Sequence, residues 1–213
     1  MPKSVSLLFW GLSLAYLLLL DHLPLEAGVV AKATPVVLLM VPVWNQLKGK
    51  LRVGMLVALL FSAGGDVFLA LDDALGDFFI PGLGSFLVAQ LTYSVLFWSD
   101  RTSDVNRKWL ALGFLPAALL LAGAILPATE ELLIPVMIYL LAVCSMVMGA
   151  AFCNRPWQWM FVGAATFAVS DSLIAINKFL FPIPYATVLI MFTYYLAQYL
   201  IVTGMLKQGG RAP

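Results

Sequence analysis

Residues 52–71 read RVGMLVALLFSAGGDVFLAL, a run of 20 residues in which almost every side chain after Arg52 is apolar. The hydrocarbon core of a bilayer is about 30 Å thick, and a helix needs about 20 residues to cross it. One charged side chain, Asp66, lies inside the run. The stretch therefore predicts a transmembrane helix that carries an ionisable group within the membrane.

The rest of the chain has the same apolar character. Its 213 residues are 62% hydrophobic and 11% charged, whereas soluble domains carry about 25% charged residues. The core of a soluble protein of this length could not bury so much apolar surface, so we expect the apolar side chains to face lipid. The net charge of +1 gives no reason to expect nucleic-acid binding. Histidine, cysteine and carboxylate residues show no metal-ligand spacing, and we expect neither a metal nor a cofactor.

Seven further apolar runs of similar length are separated by charged or Pro/Gly breaks. The sequence thus predicts an all-α fold, a polytopic membrane helix bundle that forms a single transmembrane domain over residues 1–213. The eight predicted spans lie at about 5–20, 28–45, 52–71, 82–99, 109–127, 132–152, 157–180 and 185–206.

The loop charges predict the orientation of these spans. Basic residues precede span one, follow span eight, and occupy the loops after spans two, four and six: Lys3, Lys48, Lys50, Arg52, Arg101, Arg107, Lys108, Arg155, Lys207 and Arg211. The loops after spans one, three and five carry acids instead. Positive residues mark the cytoplasmic side, so we expect both termini in the cytoplasm. We expect the membrane to be a bacterial plasma (inner) membrane.

Four ionisable side chains remain at or inside the spans: Lys32, Asp66, Asp171 and Lys178. A charge at a helix centre costs about 2.5–3.5 kcal/mol or more, so such residues are candidates for function. At 1.5 Å per residue, Asp66 and Asp171 each lie about 21 Å from the cytoplasmic end of their span. Lys32 lies one turn below the outer end of span two. Lys178 lies at the outer end of span seven, where its stem can snorkel.

Polar side chains accompany the two aspartates at helical spacing. Ser62 precedes Asp66 by four residues and shares its face. Gln90 and Tyr93 are three apart on span four, and Tyr195 and Gln198 are three apart on span eight. Matching Ala-Gln pairs at 89–90 and 197–198 suggest a faint repeat of two four-span halves, as in parallel repeats.

Five motifs, in order along the chain, resemble those of the YhhN-like membrane proteins, the lysoplasmalogenase family. FSAGGD at 61–66 resembles the family's S-x-x-G-D signature, and FAVSDS at 167–172 resembles its second motif, which continues to NKF at 177–179. Lys32 with Pro35 resembles its K-P element. The last two pieces are the span-four motif with Phe86, Ala89, Leu91 and Tyr93, and YYLAQ at 194–198. The resemblance covers residues from about 30 to 204.

This resemblance implies an ether hydrolase. Family members cleave the alkenyl chain of lysoplasmalogens, a lysophospholipid substrate taken from the membrane, and release a fatty aldehyde and glycerophosphoethanolamine or glycerophosphocholine. Hydrolysis of a vinyl ether begins with protonation of the β-carbon and passes through an oxocarbenium ion. Glycosidases pass through a similar cation with two carboxyl groups in unlike environments.

We therefore expect Asp66 and Asp171 to form an acid–base pair in the outer half of the membrane, with either residue as the proton donor. The candidates to orient them or to bind substrate are Lys32, Ser62, Gln90, Tyr93, Ser170, Asn177, Lys178, Tyr195 and Gln198. Among these, Lys32 is the first choice to meet the phosphate. The tyrosines and serines could instead be packing residues.

A second function class fits the same pattern. Paired intramembrane acids and a possible repeat also suit a proton-coupled transporter. Turnover of lysoplasmalogen in detergent, without a sealed compartment, would favour the enzyme. The oligomeric state and the head-group preference are not readable from the sequence.

Overall fold

In the computed structural model, the described residues are 1–101 and 107–207, the side chain of Lys108 excepted. Helices make up most of these residues, and an isolated bridge pairs Arg101 with Cys153. The α-helices are α1 Lys3–Leu19, α2 Leu25–Leu38, α3 Met40–Gln46, α4 Gly49–Leu75, α5 Phe79–Ser99, α6 Lys108–Ile125, α7 Leu133–Phe152, α8 Trp157–Phe179 and α9 Ala186–Leu206.

Eight helical segments of the described chain are long and apolar enough to cross a membrane, which confirms the predicted all-α fold and its eight spans. The observed segments agree with the predicted ones in order and spacing. The largest difference is in span three, which runs over Gly49–Leu75 instead of 52–71. Charged residues continue the helix beyond the apolar run at both ends: Lys50 at the start, and Asp72 and Asp73 near the end.

Span two is broken into α2 and α3 at Leu39. Pro42, in the first turn of α3, has no N–H, so the carbonyl of Leu38 cannot receive its helical hydrogen bond there, and the proline ring crowds that carbonyl. At the break, the Leu39 N–H donates to the carbonyl of Val36, three residues earlier and 3.1 Å away, and so departs from the regular bonding pattern of an α-helix. A helix break near the middle of span two follows from this proline.

The connection between α4 and α5 is a tight turn closed by a side chain. Gly76 and Asp77 both adopt positive φ, at 73° and 65°. The Oδ1 atom of Asp72 accepts hydrogen bonds from the backbone N–H groups of Phe78 and Phe79, each at 3.0 Å. An acidic side chain that accepts from N–H groups at a helix N-terminus stabilises that helix. Asp72 therefore closes the turn that begins α5.

The chain divides into two compact units, residues 1–93 and residues 94–213, with the boundary inside α5. In the first unit α2 packs against α1 and α4, and α3 packs against α4. The start of α5 also lies against α4, because Ser85 Oγ donates a 2.6 Å hydrogen bond to the carbonyl of Phe61. This unit contains the four N-terminal spans up to Tyr93.

In the second unit α8 packs against α9, α7 and α6, and α6 also packs against α7. The end of α5 joins α7 through two contacts of Ser145. Its hydroxyl lies 2.6 Å from the hydroxyl of Ser94, and its carbonyl accepts a 3.0 Å hydrogen bond from the Trp98 indole.

Arg155 contacts two other segments of the second unit, at its predicted cytoplasmic end. Its Nε lies 2.8 Å from Oδ2 of Asp100, just after α5. Its Nη1 donates to the carbonyl of Lys207, 3.0 Å away, at the end of α9. This arginine therefore pairs with an acid. It also caps α9, because the last carbonyls of a helix have no partners within it.

Candidate active site

Asp66 lies deep inside α4 and is 1% exposed. One turn earlier on the same helix, Ser62 is fully buried, and its hydroxyl makes no hydrogen bond to another described residue. The two side chains share a face of α4 because they are four residues apart. The structure thus places a carboxyl group and a hydroxyl group side by side on one buried helix face.

The glycines before Asp66 allow α5 to approach α4 closely. A Cβ at Gly64 would lie 2.8 Å from the hydroxyl of Ser85, and a Cβ at Gly65 would overlap the ring of Phe86. Small residues at such crossings let membrane helices pack backbone to backbone. The Gly-Gly pair therefore brings the aromatic ring of Phe86 directly beside the Asp66 segment. Gln90 and Tyr93, also on α5, are fully buried.

Two more ionisable side chains of the first unit are buried. Tyr16 on α1 is buried and lies within electrostatic reach of the carboxylates of Asp66 and Asp73. Lys32 on α2 is 5% exposed, and α2 packs against α4. A snorkelling lysine keeps its charged head in water, so the covered side chain of Lys32 is typical of a residue turned toward protein groups.

Asp171 lies in the second unit, on α8, and is half-buried. Its Oδ2 accepts a 2.9 Å hydrogen bond from the hydroxyl of Tyr139 on α7. Tyr139 is itself buried. Tyr139 was not among the site residues predicted from the sequence. The available signal was its position along the helix: at 1.5 Å per residue, Tyr139 lies about 9 Å from the N-terminal end of α7 and Asp171 about 12 Å from the C-terminal end of α8.

The residues around Asp171 on α8 bond to backbone groups. Ser170 Oγ donates to the carbonyl of Ile190 on α9, 2.9 Å away. Ser172 Oγ donates to the carbonyl of Ala168 on its own helix, 2.6 Å away. Ser170 therefore links α8 to α9, with its proton directed at a backbone oxygen.

Helix α9 presents its polar residues to the protein interior. Tyr195 and Gln198 are fully buried. Tyr194 meets the ring of Phe167 edge to face, with ring centroids 5.5 Å apart. Because α9 packs against α8, these buried polar side chains lie on the neighbour of the helix that carries Asp171.

Asn177 and Lys178 lie at the exposed end of α8, two turns beyond Asp171. The Oδ1 atom of Asn177 accepts a 2.9 Å hydrogen bond from the backbone N–H of Ile183. This bond holds the turn between α8 and α9. The side chain of Lys178 is exposed, as expected for a lysine that snorkels at a span end.

The predicted site residues thus fall into two groups. The first unit brings Lys32, Ser62, Asp66, Gln90 and Tyr93 onto three packed helices, α2, α4 and α5. The second unit brings Ser170, Asp171, Tyr195 and Gln198 onto α8 and α9, with Asn177 and Lys178 at their connecting turn. Tyr16 and Tyr139 are additions from the structure. Within the described residues, no three His, Cys, Asp or Glu side chains are grouped so that they could hold a metal ion.

Comparison with known proteins extends the sequence resemblance. The chain is 36% identical over 155 residues to the human protein named lysoplasmalogenase TMEM86A, and the aligned region covers 68% of this chain and 62% of that protein. It is 34% identical over 164 residues to the lysoplasmalogenase of Mycobacterium bovis, covering 73% of this chain and 61% of that one. With the pig lysoplasmalogenase TMEM86B, identity is 31% over 202 residues, covering 93% and 84%.

The chain spans somewhat less than two thirds of the length of the human and mycobacterial relatives. No solved structure matches it at a significant level. The family model of the YhhN family matches residues 27–205, which include every predicted site residue. This chain is therefore a member of the YhhN family of membrane proteins.

Proposed function

We propose that this protein is a lysoplasmalogenase-like hydrolase that cleaves the vinyl ether bond of a lysophospholipid. The observation that carries the proposal is the likeness, at 31–36% identity, to proteins named lysoplasmalogenase from mammals and mycobacteria. The substrate would be an alkenyl-glycerophosphoethanolamine or an alkenyl-glycerophosphocholine. The products would be a fatty aldehyde and the glycerophospho head group.

The proposed reaction uses Asp66 and Asp171 as its two carboxyl groups. One carboxylic acid transfers its proton to the β-carbon of the vinyl ether. The electrons of the double bond form the new C–H bond, and an oxocarbenium ion remains at the ether carbon. Water adds to that carbon and gives up a proton to a carboxylate. In the last step the carboxyl group that took the proton from water gives it to the glycerol oxygen as the C–O bond breaks, and the hemiacetal hydroxyl loses its proton to the other carboxylate as the aldehyde forms. Both carboxyl groups thus return to their starting states, and the overall reaction consumes one water molecule.

The surroundings of the two aspartates support their use as an acid–base pair. Asp66 is 1% exposed, beside the Phe86 ring that packs on Gly65, whereas Asp171 is half-buried and accepts a hydrogen bond from Tyr139. Two carboxyl groups in unlike environments are what an acid–base pair requires. The reaction needs no serine nucleophile, and the single histidine, His22, lies in the 3₁₀ turn after α1.

The remaining polar residues would bind and orient the lipid. Lys32 would attract the phosphate, and the lipid chain would lie between helices against apolar side chains such as Phe86 and Phe167. In this proposal the chemistry lies in the outer half of a bacterial plasma membrane with both termini in the cytoplasm, which the distribution of basic residues among the loops supports. A lysophospholipid in the outer leaflet would then reach the site from its own leaflet.

The test is turnover by purified protein in detergent. Lysoplasmenylethanolamine should release aldehyde, and the matched 1-acyl lysophosphatidylethanolamine, which has an ester in place of the vinyl ether, should not be hydrolysed. In D₂O, with borohydride present to reduce the aldehyde as it forms, the alcohol should carry one deuterium on the carbon next to the former carbonyl. That label reports proton transfer to the β-carbon.

The competing proposal was a proton-coupled transporter, and none of the relatives described above is named as one. If the purified protein releases no aldehyde but moves protons across sealed liposomes, the hydrolase proposal is wrong. Turnover in detergent, where no sealed compartment exists, supports the hydrolase.

A further inference from the structure

The hydroxyl group of Ser62 is buried and makes no hydrogen bond to another described residue. Ser62 lies in the middle of α4 and is fully buried. A buried hydroxyl without a partner forfeits the hydrogen bonds that water would give it, so native proteins rarely leave such a group unsatisfied. Ordered water molecules commonly fill this role inside proteins. The Ser62 hydroxyl is therefore a candidate to bind a small polar ligand.

Other hydroxyl groups on the membrane helices bond to the backbone of their own helix. The hydroxyls of Thr34, Thr166 and Ser172 each donate to the carbonyl four residues earlier, over 2.6–2.7 Å. Serine and threonine commonly satisfy themselves in this way within helices. The same acceptor exists for Ser62, because the carbonyl of Ala58 lies one turn earlier on α4, but the Ser62 hydroxyl does not bond to it. The hydroxyl thus remains available to a partner outside its own backbone.

The position of Ser62 relative to Asp66 suits a bridging water molecule. The two side chains are four residues apart on α4, so their Cβ atoms lie about 5–6 Å from each other on one helix face. They make no direct hydrogen bond, and a water molecule can bridge polar groups that do not bond directly. Both side chains are at most 1% exposed. A water molecule between them would be separated from bulk solvent.

Neighbouring hydroxyl groups do not offer the same arrangement. Ser85 on α5 reaches the same part of α4, but its hydroxyl donates to the carbonyl of Phe61 over 2.6 Å. Among the described residues, the hydroxyls of Ser13 and Thr203 are also buried without a hydrogen bond. These two residues lie on α1 and α9, which carry no aspartate. Ser62 therefore combines an available hydroxyl with an intramembrane carboxyl group one turn away.

We propose that Ser62 binds the water molecule that adds to the oxocarbenium ion. The proposal rests on the proposed function and names the residue that holds its second substrate, water. In this arrangement the Ser62 hydroxyl donates to the water oxygen, and the water donates to the carboxylate of Asp66. Asp66 is ionised at this stage whichever aspartate gave the first proton, because the donor has by then lost it. As the water oxygen bonds to the ether carbon, its released proton passes to a carboxylate, and Ser62 keeps its own proton.

The test is a competition between water and methanol for the oxocarbenium ion. Methanol that adds to this ion gives its hydroxyl proton to a carboxylate and forms a mixed methyl acetal, which mass spectrometry separates from the aldehyde. The ratio of acetal to aldehyde depends on which nucleophile adds and not on the rate of turnover. Purified wild-type protein in dilute methanol should form mostly aldehyde. Ser62→Ala removes one hydrogen bond to the water and should raise the ratio about two- to tenfold.

Two further variants separate the lost hydrogen bond from other effects. Ser62→Cys keeps a side chain of similar shape but has only a weakly bonding thiol, so it should raise the ratio as Ser62→Ala does. Thr203→Val removes another buried hydroxyl that makes no hydrogen bond, on α9 near its C-terminal end, and should keep the wild-type ratio. Each variant must first show a wild-type unfolding midpoint.

An infrared experiment detects the bound water without using turnover. The probe is 1-acyl lysophosphatidylethanolamine, which carries the head group of the substrate but no vinyl ether, added to immobilised protein. The difference spectrum of wild-type protein should contain an O–H stretching band of internal water that shifts when H₂¹⁸O replaces the solvent. Ser62→Ala should lose this band, and Thr203→Val should keep it.

These outcomes separate the water site from the proposed function. If wild-type protein releases no aldehyde, the proposed function fails, and the infrared bands alone decide whether Ser62 binds water. If the wild type is active and folded Ser62→Ala keeps the wild-type ratio, the role of Ser62 is wrong. A rise in Ser62→Ala but not in Ser62→Cys would mean that added space admits methanol, which also contradicts this role. A water band of wild-type strength in Ser62→Ala, or no such band in the wild type, contradicts the bound water.

Discussion

The aromatic ring of Phe86 on α5 lies directly against the Cα of Gly65 on α4, one residue before Asp66. A Cβ at Gly65 would overlap the Cδ2–Cε2 edge of the ring and come within 2.8 Å of Cγ, the atom that joins the ring to the chain. The first prediction concerns Gly65→Ala, which should destabilise the protein by about 1–3 kcal/mol through overpacking and lower turnover. The measurements are the thermal unfolding midpoint and kcat.

Gly84 provides the matched control for this prediction. It lies on α5, two residues before Phe86, and a Cβ there would have no atom within 4 Å. Gly84→Ala should leave both unfolding and turnover unchanged or slightly raise stability, since alanine favours helix over glycine. Equal behaviour of the two variants would contradict the close approach of α4 and α5 at Asp66.

The cap formed by Asp72 gives a second prediction. Asp72→Ala removes the acceptor of two N–H groups at the start of α5 and should cost about 1–2 kcal/mol of stability. Asp72→Asn keeps an acceptor oxygen and should lose less. Asp77→Asn, at an exposed position in the same turn, is the control for charge, because asparagine also tolerates the positive φ of 65° at this position. If all three variants unfold at the same temperature, Asp72 does not cap α5.

The Arg155 cluster gives a third prediction. Arg155→Gln breaks the contacts to Asp100 and to the end of α9, and the partly exposed pair should contribute about 1–2 kcal/mol. Arg155→Lys keeps the charge but lacks the planar fork that serves both partners, so it should rescue only in part. Thermal unfolding checks both variants. Lys50→Gln, an exposed basic residue, should behave as the wild type.

The orientation of the spans is a fourth prediction, tested by cysteine labelling of intact cells. Asp77→Cys lies in a predicted outer loop and should react with a membrane-impermeant maleimide, whereas Lys50→Cys should react only after lysis. Burial raises the pKa of the Cys153 thiol to about 12, so it stays protonated and unreactive at pH 7. Cys144 is replaced by alanine in both labelling variants, so that it adds no labelling signal. Labelling of Lys50→Cys in intact cells would show that the orientation is opposite to the predicted one.

The comparison of sequence and structure shows which features local patterns can reveal. The eight spans were predictable because a bilayer demands about 20 apolar residues in succession, whatever the neighbours. The break in span two was not predicted, although Pro42 was visible, because other membrane helices re-satisfy the backbone groups that a proline frees. The cap by Asp72 depends on the path of a turn, which its acidic composition did not reveal.

The site residues show the same limit. Asp66 and Asp171 stood out because charges inside membrane spans are costly and rare. Tyr139 did not stand out, because a tyrosine in an apolar helix packs well whether or not it donates to a carboxylate. Its contact with Asp171 depends on the packing of α7 against α8, and position along one helix does not show which neighbouring helix the side chain meets. Ser170 and Asn177 were expected near substrate, and the structure gives each a bond that links α8 to the following segment.

The central claim, a two-carboxyl hydrolysis of the vinyl ether, is tested most directly by aldehyde release from purified Asp66→Asn and Asp171→Asn proteins. Asp77→Asn, in an exposed turn, is the matched control, and monodisperse elution with a wild-type unfolding midpoint establishes the fold of each variant. Each intramembrane substitution should lower kcat for lysoplasmenylethanolamine by at least about a hundredfold, the scale of a lost general acid or base. Near-normal turnover by either folded variant would contradict the account.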